Sequence, residues 1–291
     1  MKTLNEELNE VLNAKMSKKA KKEAIIKLGI REKEANFLLK MKGVVSSNVK
    51  FNATSLTFGV EIECYNVVRD IMISQARDRN INIISQGYNH TDSKTYYKLV
   101  SDCSIQGTNP VECVSPILKG NNGLDSLKSI CETLNSIDAK VNKSTGLHVH
   151  FDASKLDDKH FIRIIKNYAK IESVIDSFMP ISRRGRNNTF CKTLLVYNFS
   201  DVTTKRDIIE LIGTRYTKVN AEAYLRHKTI EFRQHSGTTD FEKINSWINF
   251  LRKLIQFSYE KDIQECNTIE ELPFLNNYEK QYFINRRTQL N

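Results

Sequence analysis

The sequence predicts an α+β protein whose largely antiparallel sheet has one face free for a functional site. Several short segments alternate apolar and polar residues, as strands do when one face packs on a core and the other stays open. Longer segments repeat apolar residues at intervals of three and four, which is typical of amphipathic helices. The two kinds of segment interleave irregularly along the 291 residues, and this order favours the α+β class.

The predicted elements follow one another from residue 56 onward. Helix 123–137 is marked by Leu127, Ile130 and Leu134 on one face, and helix 158–178 ends before Pro180, which cannot continue a helix. We predict strands at 58–64, 80–84, 95–101, 110–116, 145–151 and 229–235, helices at 66–79, 123–137, 158–178, 204–212, 241–261 and 276–287, and a strand or extended loop at 216–225.

A change of pattern near residue 50 predicts two parts. Residues 1–50 contain 12 basic and 6 acidic residues, which supply most of the chain's net charge of +10. Apolar spacing in this part predicts a small basic helical segment, and the polar stretch 43–54 suits a linker. Residues 51–291 form the second predicted domain, which is long enough to bury a sizeable core.

Composition narrows the class of protein. No apolar run reaches the roughly 18 residues of a membrane span, and the N-terminus lacks the basic-then-apolar pattern of a signal peptide. The six cysteines form no C-x-x-C pair and lie within apolar segments, which is typical of reduced thiols. We therefore expect a cytoplasmic protein that makes no membrane contact. Neither a G-x-x-x-x-G-K-[ST] loop nor a G-x-G-x-x-G motif occurs, which disfavours P-loop and Rossmann sites.

Four predicted strands carry polar side chains that bind metals or anions. Side chains two apart on a strand point to the same face, so each set projects together. Glutamate oxygens bind hard cations such as Mg²⁺, and an arginine binds phosphate or carboxylate through two parallel hydrogen bonds. The polar positions are Glu61 and Glu63 in FGVEIEC, Glu112 in VECVSP, His148 and His150 in TGLHVHF, and Glu231, Arg233 and His235 in TIEFRQH. Together they predict a site that holds polyphosphate through metal ions and binds an anionic second substrate.

Each of these patterns also has a purely structural interpretation. Alternation on one strand is most often a solvated sheet face. The paired histidines could be hydrogen-bonded core or surface residues, and Glu231 with Arg233 could form a simple salt bridge.

Two basic clusters lie outside these strands. Arg183, Arg184 and Arg186 in SRRGRN either form a phosphate clamp or supply surface charge. Residues 15–22, KMSKKAKK, either contact nucleic acid or another acidic partner, or form a solvated helical face, which is the commoner meaning of such a run.

The order of the motifs resembles the amidoligase family, carboxylate–amine ligases related to glutamine synthetase and glutamate–cysteine ligase. The resemblance covers about residues 56–252 and rests on FGVEIEC, DCS, VECVSP, TGLHVHFD, the basic loop and TIEFRQHSGT, in that order. It implies a glutamine synthetase-like catalytic domain, with the antiparallel sheet forming an active-site funnel and helices on its outer face. It also implies ATP, Mg²⁺ and an acyl phosphate that an amine attacks, which makes a peptide or isopeptide-type amide bond.

The resemblance implies a role for each matched residue. Cys103 stands where the family often has glycine, and a small residue is kept. The implied metal ligands are Glu61, Glu63, Glu112, His148 and Glu231; the implied catalytic residues are Glu231, Arg233 and His150; and the implied nucleotide-phosphate contacts are His150, Arg183, Arg184 and Arg186.

Two other functions stay open at this point. A metal-dependent hydrolase could use His148 and His150 with the nearby acids and would need no nucleotide. A non-catalytic nucleic-acid-associated protein could combine the basic N-terminus with a ligase-like fold. The carboxylate and amine substrates are not identified by the sequence: an amino acid, a polyamine, a peptide or a protein side chain would each serve as acceptor.

Overall fold

The computed structural model describes residues 7, 10, 11, 14, 16–29, 32, 35, 51–87, 93, 95–186 and 188–290. The chain divides into two compact units, Met1–Phe51 and Asn52–Asn291. In the first unit, helix α1 (Lys18–Lys27) begins at Ser17, whose side chain accepts a hydrogen bond from the backbone N–H of Ala20. Most of residues 1–15 and the predicted linker at 43–50 lie outside the described residues.

The second unit is built on a seven-stranded sheet. Its strands run in the spatial order β2-β3-β4-β1-β5-β7-β6, and every pair is antiparallel except β2 with β3. The predicted mixed fold with a largely antiparallel sheet is confirmed. The strands are β1 (Phe58–Cys64), β2 (Ile83–Ser85), β3 (Tyr97–Val100), β4 (Val111–Val114), β5 (Gly146–Asp152), β6 (Val219–Asn220) and β7 (Thr229–Ser236).

Three helices of this unit, those that follow Asp157, Thr204 and Asp240, begin at a side chain that accepts from the first backbone N–H groups. Asp157 accepts from the N–H of His160, and Thr204 and Asp207 form a reciprocal capping box. The helices are α2 (Arg69–Asp78), α3 (Gly120–Ser136), α4 (Asp158–Lys170), α5 (Glu172–Ser177), α6 (Lys205–Ile212), α7 (Ala223–His227), α8 (Phe241–Glu260) and α9 (Asn277–Leu290). No helix among the described residues is both long and apolar enough to cross a membrane.

Helices α4 and α5 correct the prediction of one helix over residues 158–178. The helix breaks at the buried Ile171, and Glu172 then turns into the interior, where Lys218 Nζ lies 2.8 Å from its carboxylate. The apolar spacing continues across the break, so the sequence pattern did not reveal it. The segment 216–225 also differs, because its strand β6 has only two residues and helix α7 begins at Ala223.

The core lies between the sheet and helices α4 and α8. Tyr168 of α4 and Trp247 of α8 are fully buried. The ring centroids of Tyr168 and Phe232 are 5.6 Å apart, and those of Phe151 and Phe232 are 6.2 Å apart. Phe151 of β5 and Phe232 of β7 point into this core and alternate with the polar positions of the same strands. The functional side chains therefore lie on the opposite face of the sheet.

A β-bulge in β7 changes which face His235 occupies. Leu147 of β5 pairs with His235, whereas Val149 pairs with Phe232, so β7 contains one extra residue between these pairs. An extra residue reverses the side-chain alternation beyond it. The His235 ring is buried 5.6 Å from the Trp247 ring, on the helix side of the sheet. The prediction that His235 shares a face with Glu231 and Arg233 is therefore wrong.

Candidate active site

The register of three central strands brings the predicted site residues together. Strand β1 lies between β4 and β5, and its Glu63 pairs with Glu112 of β4. Glu61 of β1 pairs with His148 of β5. On the far side of β5, His150 lies opposite Glu231 of β7. The acids and histidines of four strands therefore occupy one continuous patch of the sheet.

Both histidines contact carboxylates within this patch. His148 Nδ1 lies 2.9 Å from Glu61 Oε2, and its Nε2 lies 3.5 Å from Glu63 Oε1. His150 Nε2 lies 3.3 Å from Glu61 Oε1 and 3.8 Å from Glu231 Oε1. The His148 side chain is buried and the His150 side chain is only 14% exposed, so both rings are held beside the acids.

Three overlapping sets of side chains could each hold a metal ion, because their ligand atoms lie within 4.8 Å of one another. Most of these donors are carboxylate oxygens, which suit Mg²⁺ better than a softer metal. Asp102 was not among the predicted site residues, although it lies in the DCS motif. The sets are Glu61 with Glu112 and His148, Glu61 with His150 and Glu231, and Glu63 with Asp102 and Glu112.

The protonation behaviour of the patch also fits a bound cation. Burial and the repulsion of Glu61 and Glu63 raise the pKa of Glu112 well above its usual range. Burial also raises the pKa of Glu61, but attraction to His150 and hydrogen bonds from both histidines outweigh it and lower that pKa well below its usual range. Burial lowers the pKa of His150, yet Glu231 and Glu61 raise it to about 9. A divalent cation would remove the repulsion at Glu112.

Arg233 is tied to Glu231 at the edge of this patch. Arg233 Nη1 donates to Glu231 Oε1 over 2.5 Å, and Arg233 Nε donates to the Phe190 carbonyl over 3.3 Å. Burial raises the pKa of Glu231, but the attraction of Arg233 together with that of His150 and His148 outweighs this effect and lowers the pKa. The other oxygen of Glu231 accepts from Asn220 Nδ2.

Of the three loop arginines, Arg183 alone reaches the site. Its guanidinium is buried, and it donates to the Thr145 carbonyl over 2.5 Å and to the Arg233 carbonyl over 3.4 Å. Arg184 turns to the Met179 carbonyl instead, and Arg186 is exposed outside the site. A 3₁₀ turn ends at Arg183 and the chain is extended at Arg184, so neighbouring side chains diverge. Arg183 lines the larger cavity of the site, whereas Arg184 and Arg186 line neither cavity, so a phosphate clamp of all three arginines stays a prediction.

Gly146 allows the histidine strand and Arg183 to approach each other. A Cβ atom on Gly146 would lie 2.8 Å from Arg183 Nη2 and 3.0 Å from His148 Nε2. The backbone N–H of Gly146 donates to Glu63 Oε2. A larger residue here would displace groups on both sides of the site.

Two cavities meet at the acidic patch. The larger one, which we call the charged cavity, has a volume of about 650 Å³ and contains Arg183 and Arg233 together with Arg215 and Arg226, two residues that the sequence did not single out. The smaller one, which we call the minor cavity, has a volume of about 340 Å³ and is lined by hydroxyl-bearing and apolar residues together with Asp152, Lys228 and the buried Lys98. The residues common to both are Glu61, Glu112, His150 and His227.

The fold and the site define a mixed α and β protein whose sheet carries, on its open face between two cavities, an acidic centre that could hold metal ions. The family model described as "Putative amidoligase enzyme" matches residues 54–255, and the chain belongs to this amidoligase family. The comparison with curated proteins finds no match.

Among solved structures, the chain is similar to a bifunctional glutathione synthetase from Pasteurella multocida. The two have 11% sequence identity and a TM-score of 0.42, over 82% of this chain and 41% of that chain. The chain therefore spans less than half the length of that protein.

Proposed function

We propose that the protein is an ATP-dependent ligase that joins a carboxylate to an amine through an acyl phosphate, on a glutamine synthetase-like funnel. The observation that carries this proposal is the meeting of two cavities at a patch of carboxylates and histidines. A reaction that transfers a phosphoryl group from one substrate to another requires both to meet at a cation-binding centre. Membership of the amidoligase family supplies the reaction class.

The proposed reaction has two balanced steps. A substrate carboxylate oxygen attacks the γ-phosphorus of ATP, and ADP leaves with the electron pair of the broken bond. The amine nitrogen, once it is neutral, then attacks the acyl carbon, the bond from that carbon to the phosphate oxygen breaks, and phosphate leaves. The protons that the nitrogen loses before and after the attack pass to water. The product is an amide, lighter by one water than the two substrates together.

Bound Mg²⁺ would screen the repulsion between the triphosphate and the carboxylate. The residues proposed to hold it are the predicted ligands Glu61, Glu63, Glu112, His148 and Glu231, to which the structure adds Asp102 as a neighbour of Glu63 and Glu112. This donor set supports the proposal because it is rich in oxygen and because a cation relieves the raised pKa of Glu112.

We propose that the minor cavity takes the nucleotide and the charged cavity takes the carboxylate and the amine. His150 lies at the junction of the two cavities, where it would contact the phosphates. Arg183 and Arg233 lie in the charged cavity, where buried guanidinium groups would bind the substrate carboxylate and stabilise the transferred phosphoryl oxygens. Water must be kept from the acyl phosphate once it forms, and an enclosed site does this.

The test is a screen for ADP release from ATP and Mg²⁺ with pooled amino acids and amines. Mass spectrometry should identify a product lighter by one water than its substrates. Glu63→Gln should abolish the signal, whereas Glu210→Gln, an exposed glutamate on α6, should not.

Each alternative function has its own outcome in the same samples. Bond cleavage that needs the metal but no ATP would establish the hydrolase that uses His148 and His150. If no substrate pool causes ADP release and the protein binds nucleic acid in a salt-sensitive way, the result would favour a non-catalytic nucleic-acid-associated protein.

A further inference from the structure

Five of the six carboxylates in the charged cavity belong to the candidate metal-binding sets, and Glu222 is the remaining one. Glu222 lies directly before helix α7, at the wall of the cavity. Within the part of the chain that the structure describes, no hydrogen bond or ion pair engages its carboxylate. A negative charge is therefore available in this cavity that the metal sites do not use.

Asn220 supplies a second acceptor two residues before Glu222. It lines the same cavity, and only 5% of the residue is exposed. Its Nδ2 donates to Glu231 Oε2, which fixes the orientation of the amide, since a carboxylate accepts only from the nitrogen. Among the described residues, Asn220 Oδ1 is buried without a hydrogen-bond partner.

A buried acceptor without a partner costs free energy unless a ligand or water donates to it. The arginines of the charged cavity suit an anion, but Asn220 Oδ1 and the Glu222 carboxylate suit a group that only donates. An ammonium has N–H donors and a positive charge and no acceptor. A carboxylate next to Glu222 would face a like charge, and Asn220 Oδ1 could not donate to it.

We propose that Asn220 and Glu222 form the subsite for the acceptor, and that the acceptor is a primary amine that binds as its ammonium ion. This inference rests on the proposed ligase function. Asn220 also contacts Glu231, so the amine would be held beside the centre at which the acyl phosphate forms. Secondary amines and neutral nucleophiles would gain less from this subsite.

The test compares two acceptors in the full-length protein with ATP, Mg²⁺ and pooled amino acids as carboxylate donors. One acceptor is a pool of amino-acid amides and putrescine, which carry ammonium groups; the other is hydroxylamine, which is uncharged near neutral pH. Mass spectrometry measures amide and hydroxamate formed by the same sample. The ratio of the two products is independent of the fraction of enzyme that is folded.

In Glu222→Gln, the ratio of amide to hydroxamate should fall at least about tenfold, the loss expected when a charge-assisted hydrogen bond is removed. The KM for ATP should stay near its wild-type value, while the KM for the amines rises. Glu222→Asp should restore part of the ratio. The control Glu210→Gln removes an exposed glutamate charge outside both cavities and should leave the ratio unchanged.

An unchanged ratio in Glu222→Gln would overturn the subsite and leave the ligase standing. A wild-type protein that forms neither hydroxamate nor amide would overturn the ligase proposal, and the subsite with it. Equal losses of amide and hydroxamate in Glu222→Gln would assign Glu222 to the phosphoryl-transfer centre instead, which also contradicts the proposal.

Discussion

Replacing Arg233 by lysine tests whether its planar guanidinium binds the reacting anion. The guanidinium donates through Nη1 to Glu231 and through Nε to the Phe190 carbonyl, and the remaining nitrogen, Nη2, is left for a ligand in the charged cavity. A lysine keeps the charge beside Glu231 but loses the fixed fork of donors.

The magnitude follows from what the substitution removes. If one charge-assisted hydrogen bond to the transition state is lost, kcat/KM should fall at least about tenfold, which corresponds to about 1.4 kcal/mol. The loss of the neutral hydrogen bond to Phe190 should lower the free energy of unfolding by only about 0.5–1.5 kcal/mol. Activity should therefore fall much more than stability.

Steady-state ADP release and a thermal melt measure the two effects. Arg163→Lys is the matched control, because Arg163 also has a side chain that is 11% exposed and also donates to backbone carbonyls, but lies outside both cavities. Wild-type kcat/KM in Arg233→Lys would refute the role of the fork and would assign the anion to Arg183.

Other substitutions test the rest of the site and the fold. Glu112→Gln removes the repulsion that raises this carboxyl's pKa. Without Mg²⁺ the melting temperature should therefore rise, by about 2–4 °C for each kcal/mol of stability gained, and the stabilisation that added Mg²⁺ gives should shrink. A melting temperature below that of the wild type in EDTA would contradict this. His235 is buried, and burial is the main cause that lowers its pKa well below the usual range. Its neutral ring therefore contributes to the free energy of unfolding above about pH 6.5, and this contribution is lost as pH falls, at up to about 1.4 kcal/mol per pH unit. In urea melts, the free energy of unfolding of His235→Phe should fall less steeply with decreasing pH than that of the wild type. The same acid sensitivity in both proteins would show that His235 does not cause this pH dependence. Gly146→Ala should lower turnover at least about tenfold, because its Cβ would lie 2.8 Å from a guanidinium nitrogen; Gly87→Ala, with open space around it, should not. Deletion of residues 1–50 should leave ligation intact, and a folded deletion variant without turnover would show that this boundary is misplaced.

Much of the site could be predicted because strand phase is a local property. Glu61 with Glu63, and His148 with His150, share faces as their spacing predicts, and the structure adds only which strands are neighbours. Predictions failed where a residue's direction depends on something other than regular alternation. The bulge in β7 depends on pairing with β5, and it moved His235 to the helix side.

The loop residues were harder to predict for the same reason. Arg183 and Arg184 are adjacent and chemically alike, and only the 3₁₀ turn that ends between them decides which one reaches the cavity. Asp102 follows β3 in an irregular segment, so no periodicity marked it as a neighbour of Glu63 and Glu112. Irregular backbone carries no repeating pattern from which a side-chain direction follows.

The two sides of the site are built on different kinds of structure, and this separates reaction class from substrate choice. Four of the five predicted metal ligands lie on the adjacent strands β1, β4 and β5, and the fifth, Glu231, lies on β7, so a hydrogen-bonded sheet fixes their spacing. The groups that would select substrates, among them Arg183, Arg215 and Glu222, lie on the segments that precede β7, on a short turn, a loop and the start of α7. Under the proposed function, exchange of residues within 181–227 should therefore change which carboxylate and amine are joined, while the sheet acids should still support ADP release. The same division explains why the sequence identifies the family of the enzyme but not its substrates.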